Sequence, residues 1–379
     1  MPKLSRLAKA GLVLLVLSGT LASVQQGTAL ANTREPGESA LPLANPPKPY
    51  YVAIGDSYAA GDGLAPYYAG TNTKQDSCRR SPNSFATQLK LPGQTETIAQ
   101  EAASGKATFK FVACSGAEST GITKAAVYAP GTAIYANNAA EKVLDDRHTT
   151  DWGQVQSAAA AEGLQVNGEP HNTDALNKDT TLVTIMIGGN DVRFADVLKA
   201  CVLKNCAADG FTMTRGNNVK DPDPLAVMEP KVISLLKAHL EATFVAIHAA
   251  APNATILVAG YPLFFSGNPL NKSCRAGIAV FNSGEEKLLN AWGTQLDDVI
   301  SQAYNAYRLK FSIKYINPLS AFSGHGICSK DNWLNGLIAW TSGNANKVPS
   351  PASFHPTKTG QAAYAKLFNS CLADLPKCS

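Results

Sequence analysis

No Cys-x-x-Cys pair and no His-Glu-x-x-His stretch occurs in the 379 residues, which removes the usual ligand spacings of a zinc site. No internal repeat is visible, and beyond the first 31 residues no apolar run is long enough to cross a bilayer. A charge excess of either sign is also missing. The formal net charge is +4, and part of it comes from Lys3, Arg6 and Lys9 at the amino end, so the chain without its first 31 residues carries about +1. That balance argues against nucleic acid or an anionic surface as a partner.

The opening segment has its own logic. Three positive charges are followed by an apolar run from Ala10 to Val24 and then by Ala29-Leu30-Ala31. This is the layout of a secretory signal peptide over residues 1–31, and it implies a secreted, extracellular protein. Residues 32–48, with Pro36, Pro42, Pro46 and Pro47, read as a flexible Pro-rich leader. Eight cysteines, an even number in an exported chain, point to disulfides. Their spacing suggests Cys78 with Cys114, Cys201 with Cys206, Cys274 with Cys328 and Cys371 with Cys378, one of many connectivities that eight cysteines allow.

The remainder, 49–379, reads as a single domain with an insertion around 118–180, and a monomer is expected. Its organising stretch is Tyr51 to Ile54, an apolar run that stops at Gly55-Asp56-Ser57. A second run, Ala107 to Cys114, ends in Ser115-Gly116-Ala117. A third, Thr181 to Ile187, ends in Gly188-Gly189-Asn190-Asp191. Further strands are expected at Thr255–Gly260 and Ser312–Ile316, with helical periodicity near 84–89 and over 225–250, 281–308 and 357–372. Strands alternating with helices predict an α/β fold: a parallel sheet covered by helices on both faces. Ligands bind such sheets beyond the carboxyl ends of the strands, where all three small-residue turns fall.

A Ser at such a turn is either a helix cap or a nucleophile, and a nucleophile needs a base and oxyanion donors. Of the six histidines, His239 and His248 sit in a helical pattern and His148 and His171 in polar loops. His355 lies in the turn Ser353-Phe354-His355-Pro356 just before the last helix, and His325 is its one rival. Candidate donors are the Ser57 N–H, the Gly116 N–H and the Asn190 side-chain amide, each also readable as a turn former.

Gly55-Asp56-Ser57-Tyr58, Ser115-Gly116-Ala117, Gly189-Asn190-Asp191 and His355-Pro356, in this order, resemble the four blocks of the SGNH hydrolases, also called GDSL-type esterases and lipases. Secreted actinobacterial-type lipases and esterases are the nearest likeness, which covers Tyr50 to Leu372. The resemblance implies a three-layer α/β/α sandwich, with Ser57 as nucleophile, His355 as general base, and Ser57, Gly116 and Asn190 as the oxyanion hole. It implies no metal and no cofactor, and an ester substrate, lipid or small. Two positions depart from the pattern. Tyr58 replaces the Leu of the name motif, a position that touches no proton transfer. Ala352 stands where the catalytic acid is usual, so a Ser-His dyad is expected, with the main-chain carbonyl of Ala352 orienting the His; Asp331 is a more remote substitute.

Other readings stay open on the same residues: an acyltransferase, a carbohydrate (acetyl) esterase, or an inactive exported binding module. An α/β-hydrolase fits less well, since Gly55 to Ala59 fails the G-x-S-x-G elbow. Phe264, Phe265, Trp333 and Trp340 read either as core or as the lining of an apolar acyl pocket.

Overall fold

The computed structural model describes residues 48–73, 76–119, 175–215, 219–266, 274–276, 279–338, 350 and 352–378. All of them fall in one compact unit, Pro47–Ser379. The expected signal peptide, the leader up to Pro47 and residues 120–174 of the expected insertion lie outside the described residues.

In chain order the strands are β1 (Tyr50–Gly55), β2 (Thr108–Phe111), β3 (Leu182–Met186), β4 (Thr214–Arg215), β5 (Val219–Lys220), β6 (Thr255–Ala259), β7 (Cys274–Ala276), β8 (Ala279–Phe281) and β9 (Ile313–Ile316). Five of them form a parallel sheet in the order β2-β1-β3-β6-β9, while β4-β5 and β7-β8 are small antiparallel hairpins. In register, β1 sets Tyr51 opposite Leu182 on one side and Phe109 on the other. Every residue of β3 is buried, as are the last five of β1, and strands buried along their whole length need cover on both faces.

That cover comes from helices α1 (Ser57–Ala60), α2 (Ile98–Ala103), α3 (Phe194–Leu203), α4 (Leu225–Ala250), α5 (Ser283–Asn305) and α6 (Lys358–Ala373). Asn282 caps α5 in a reciprocal box with Glu285, and Thr357 caps α6 through Gly360 N–H. Against the sequence reading that no run beyond residue 31 could cross a bilayer, helix α4 is long and apolar enough to do so by length and composition, but it turns Val232, Leu236, Leu240, Phe244 and Ile247 into the core. Four disulfides join Cys78–Cys114, Cys201–Cys206, Cys274–Cys328 and Cys371–Cys378.

Three local differences from the sequence reading have physical causes. The expected helix near Ser84 is a 3-10 turn, Phe85–Gln88, started by Ser84 Oγ accepting Ala86 N–H. Helix α2 forms where the sequence reading placed no helix, because Thr97 and Gln100 cap each other. The strand expected over Ala107–Cys114 stops pairing at Phe111, since Val112 and Ala113 both donate to the Ala53 carbonyl and break the register.

The exit of β1 is the tightest point of the sheet. Gly55 adopts φ 136°, and a Cβ there would lie 2.4 Å from the Met186 carbonyl oxygen. Only glycine fits both constraints. Gly55→Ala is therefore expected to lower unfolding stability by at least about 2 kcal/mol in urea or thermal melts; an unchanged midpoint would refute this account of the turn.

Candidate active site

Ser57 is the first residue of α1, two residues beyond the end of β1. Asp56 caps this short helix by accepting the Tyr58 N–H at 2.9 Å. The Ser57 N–H makes no hydrogen bond among the described residues. Its Oγ lies 2.7 Å from His355 Nε2, although 298 positions separate the two residues. Both side chains are half-buried.

The other ring nitrogen corrects the sequence reading. His355 Nδ1 lies 2.9 Å from the carbonyl of Ser353, not of Ala352. The Ala352 carbonyl is already occupied by the His355 backbone N–H at 3.3 Å, which closes the turn. Phe354 stands at φ 62°, and this left-handed residue aims the Ser353 carbonyl at the imidazole. Asp331 does not reach His355. Its backbone oxygen meets His325 Nδ1 at 2.9 Å, and His325 stacks on Trp333 at 3.7 Å between ring centres, which ties the rival histidine up elsewhere. His239 and His248 lie on α4, whereas His148 and His171 are outside the described residues.

The two expected side-chain and backbone donors belong to neighbouring turns. Asn190 donates from Nδ2 to the Ala117 carbonyl at 2.9 Å, which fastens the turn after β3 to the turn holding Gly116. The Gly116 N–H makes no hydrogen bond among the described residues, and open space faces its α-carbon. Asp191 reinforces the same junction by accepting Ser119 N–H at 3.0 Å and the Ser119 hydroxyl.

Sequence reasoning missed several residues that shape the site. Tyr261, at the carboxyl end of β6, donates its hydroxyl to Asp56 Oδ2 at 2.5 Å and accepts Gly189 N–H at 3.2 Å. The strand-end logic that found Asn190 would also have found Tyr261. Burial pushes the Asp56 carboxyl up to about 7, against the lowering effect of its bonds from Tyr261 and Tyr58 N–H and with help from nearby Asp191. Asp62 accepts from Ser115 Oγ at 2.6 Å and from Arg79 at 3.2 Å. A Cβ on the adjoining Gly63 would stand 2.5 Å from Ala352 Cα, so this segment packs directly on the His355 turn.

Ser57, Asn190 and His355 open onto a cavity of about 610 Å³ whose wall is largely apolar, with Phe194, Leu198, Phe264, Leu289, Leu296 and Phe354 among its lining. Phe264 therefore lines the cavity, while Phe265 is core and Trp333 packs outside the cavity wall. Trp340 lies outside the described residues. One cluster has metal-ligand composition, Cys201, Cys206 and Glu285. Its donors are spent: the sulfurs form a disulfide, and the carboxylate accepts Cys206 N–H at 3.1 Å and Asn282 N–H at 2.9 Å.

A parallel sheet that gathers these residues on its carboxyl rim, above an apolar cavity, is the arrangement of the SGNH-type carboxylic ester hydrolases, and the chain is an enzyme of that class. Residues 53–363 match the model of the GDSL-like lipase/acylhydrolase family, and the chain belongs to that family. Relatives include lipase 1 of Streptomyces coelicolor, 26% identical over 82% of each chain, and a lipase of Streptomyces rimosus, 28% identical over 84% of this chain and 85% of that one. Among solved structures, phospholipase A1 from Streptomyces albidoflavus NA297 is similar at 29% identity and a TM-score of 0.54, covering 84% of this chain and 98% of its own. The extracellular lipase of Streptomyces rimosus follows at 26% and 0.52, with coverage of 84% and 98%.

A carboxyl whose folded value lies near 7 and whose ordinary value is 3.8 holds its proton better in the folded chain, so it makes stability fall as pH rises through that interval. Asp297, pushed up to about 6 by burial, acts in the same direction over a lower range. Asp56→Asn is expected to flatten the decline in Tm between about pH 6 and 7 and to leave below pH 6 only the shallower decline that Asp297 contributes. Thermal melts across this range test it, and parallel curves for the two proteins would sink it.

Proposed function

We propose that this chain is an exported serine esterase or lipase, cleaved near Asn32, that hydrolyses esters of apolar acyl chains through Ser57 and His355. The observation that carries the reading is the 2.7 Å approach of Ser57 Oγ to His355 Nε2 at the wall of the apolar cavity. In the first step His355 Nε2 takes the Ser57 proton as Oγ bonds to the ester carbonyl carbon, and the negative charge moves to the carbonyl oxygen. The Ser57 N–H, the Gly116 N–H and the Asn190 amide donate to that oxyanion. Collapse breaks the bond to the alcohol, which leaves with the proton from His355, and Ser57 carries the acyl group. Water then repeats the sequence: it loses a proton to His355, attacks the acyl carbon, and Ser57 departs protonated with release of the carboxylic acid.

The Ser353 carbonyl takes the part that a carboxylate usually plays. It accepts the Nδ1 proton, so Nε2 is the nitrogen left basic toward Ser57, and it supports the imidazolium through a neutral dipole rather than a full charge. An apolar wall favours acyl chains over acetylated sugars, and the phospholipase and lipase relatives support the same preference. Four disulfides and the extracellular Streptomyces rimosus relative support export.

The test is hydrolysis of p-nitrophenyl esters from acetyl to palmitoyl. Ser57→Ala and His355→Ala are each expected to lower kcat by about a thousandfold or more, and activity retained in either would remove the mechanism. Gly293 lines the cavity from α5, so Gly293→Leu should cut kcat/KM on the palmitoyl ester by about tenfold and change the acetyl ester by less than about twofold. An equal effect on both esters would mean that acyl chains bind elsewhere.

A further inference from the structure

Tyr58, the residue that departs from the family's name motif, makes a bond that ties the two halves of the site together. Its hydroxyl donates to the Phe354 carbonyl at 2.7 Å. Tyr58 directly follows Ser57 and Phe354 directly precedes His355, so this bond runs beside the Ser57–His355 contact and joins the same two segments. We propose that Tyr58 is a positioning residue for the ester hydrolysis proposed above: its hydroxyl holds the His355 turn at the height and rotation that bring Nε2 onto Ser57 Oγ. This role rests on the Ser57–His355 reading.

The turn needs such a hold. Phe354 is a bulky residue at φ 62°, a conformation that costs about 1 kcal/mol or more and persists only where neighbours enforce it. Three sets of contacts enforce it. The Phe354 N–H bonds the Asn335 carbonyl at 3.2 Å, the Asn335 N–H bonds the His355 carbonyl at 2.9 Å, and the Phe354 ring meets Phe264 and Phe281 edge-on. These anchor the turn to the segment around Asn335 and to the cavity wall. Neither anchor touches the helix that carries Ser57. The Tyr58 hydroxyl does, and it bonds the peptide between Phe354 and His355, one link beyond the Ser353 carbonyl that orients the imidazole. A single 2.9 Å bond to a neutral acceptor sets the ring's rotation, so a shift of this peptide passes straight to Nε2.

Tyr58 is itself held rigidly. It is 8% exposed, its ring meets Tyr261 edge-on at 5.3 Å, and its backbone carbonyl accepts Gln361 Nε2 at 2.9 Å. Burial, with the nearby Asp56 carboxyl, pushes its phenol up, so the hydroxyl keeps the proton it donates. A leucine here would fill the space and leave the Phe354 carbonyl without this donor.

The experiment compares Tyr58→Phe with wild type and with Tyr51→Phe, which removes another buried phenol bond, 2.8 Å to Thr184, inside the sheet. Active sites are counted by the stoichiometric burst with diethyl p-nitrophenyl phosphate, so any misfolded fraction drops out of kcat. Tyr58→Phe is expected to lower kcat about tenfold or more with KM within about twofold, and Tyr51→Phe to leave kcat within about twofold. The downfield imidazole N–H resonance of His355, identified by its loss in His355→Ala, should broaden or move in Tyr58→Phe and stay in place in Tyr51→Phe. Tyr58→Leu, which lacks the ring and the hydroxyl, should reproduce the loss of kcat. Wild-type kcat in Tyr58→Phe beside an inactive Ser57→Ala would overturn the positioning role and leave the Ser57 mechanism standing. Full activity in Ser57→Ala would bring down both.

Discussion

A sheet whose strands all run one way and are buried on both faces has only one place to present polar side chains: the rim where the strands end. In this protein β2, β1 and β3 lie side by side, so the turns that follow them are neighbours in space whatever their distance in sequence. Ser57, Gly116 and Asn190 each stand two to five residues past such an end. Burial of the strands, with its demand for continuous apolar sequence, thus places the polar residues of the site as surely as it places the core.

Much of this was legible because it is local. An apolar β-branched run can be read from a dozen residues, and five such runs, four of them followed by a glycine-containing turn, fell on the five sheet strands. The orientation of His355 was not legible in the same way. A spacing of three residues suggested Ala352, but the carbonyl that meets Nδ1 is chosen by the left-handed conformation of Phe354. That conformation is enforced by Asn335, Phe264 and Phe281, all distant in sequence. Asp331 was attractive as a carboxylate near a histidine, and the histidine it serves is His325. Tyr261 lay in plain view just past a strand end, where the logic that found Asn190 points to it, but its role as the donor to buried Asp56 is a contact across 205 positions that no local pattern shows.

That a carbonyl meets His355 Nδ1 does not make the site poor in carboxylates. Asp56, Asp62 and Asp191 are all buried within it, at 2%, 3% and 3% exposure. Each acts as a strut between loops: Asp56 between α1 and the end of β6, Asp62 between the Arg79 loop and the turn of Gly116, Asp191 between the turn after β3 and Ser119. A buried carboxyl group that accepts several hydrogen bonds pins the loops that donate them, so rigidity of the rim comes from acids that take no part in the proposed proton transfer. The histidine, served by a carbonyl, depends more on that rigidity than one held by its own carboxylate would.

The contact between Ser57 and His355 also sets a schedule. Because 298 positions separate them, a ribosome that has made the entire sheet has still not made a working site. On the proposed mechanism, until the last turn before α6 has emerged and folded back onto the first strand, Ser57 has no partner to accept its proton. An ester hydrolase that works in this way is inactive for nearly the whole of its synthesis.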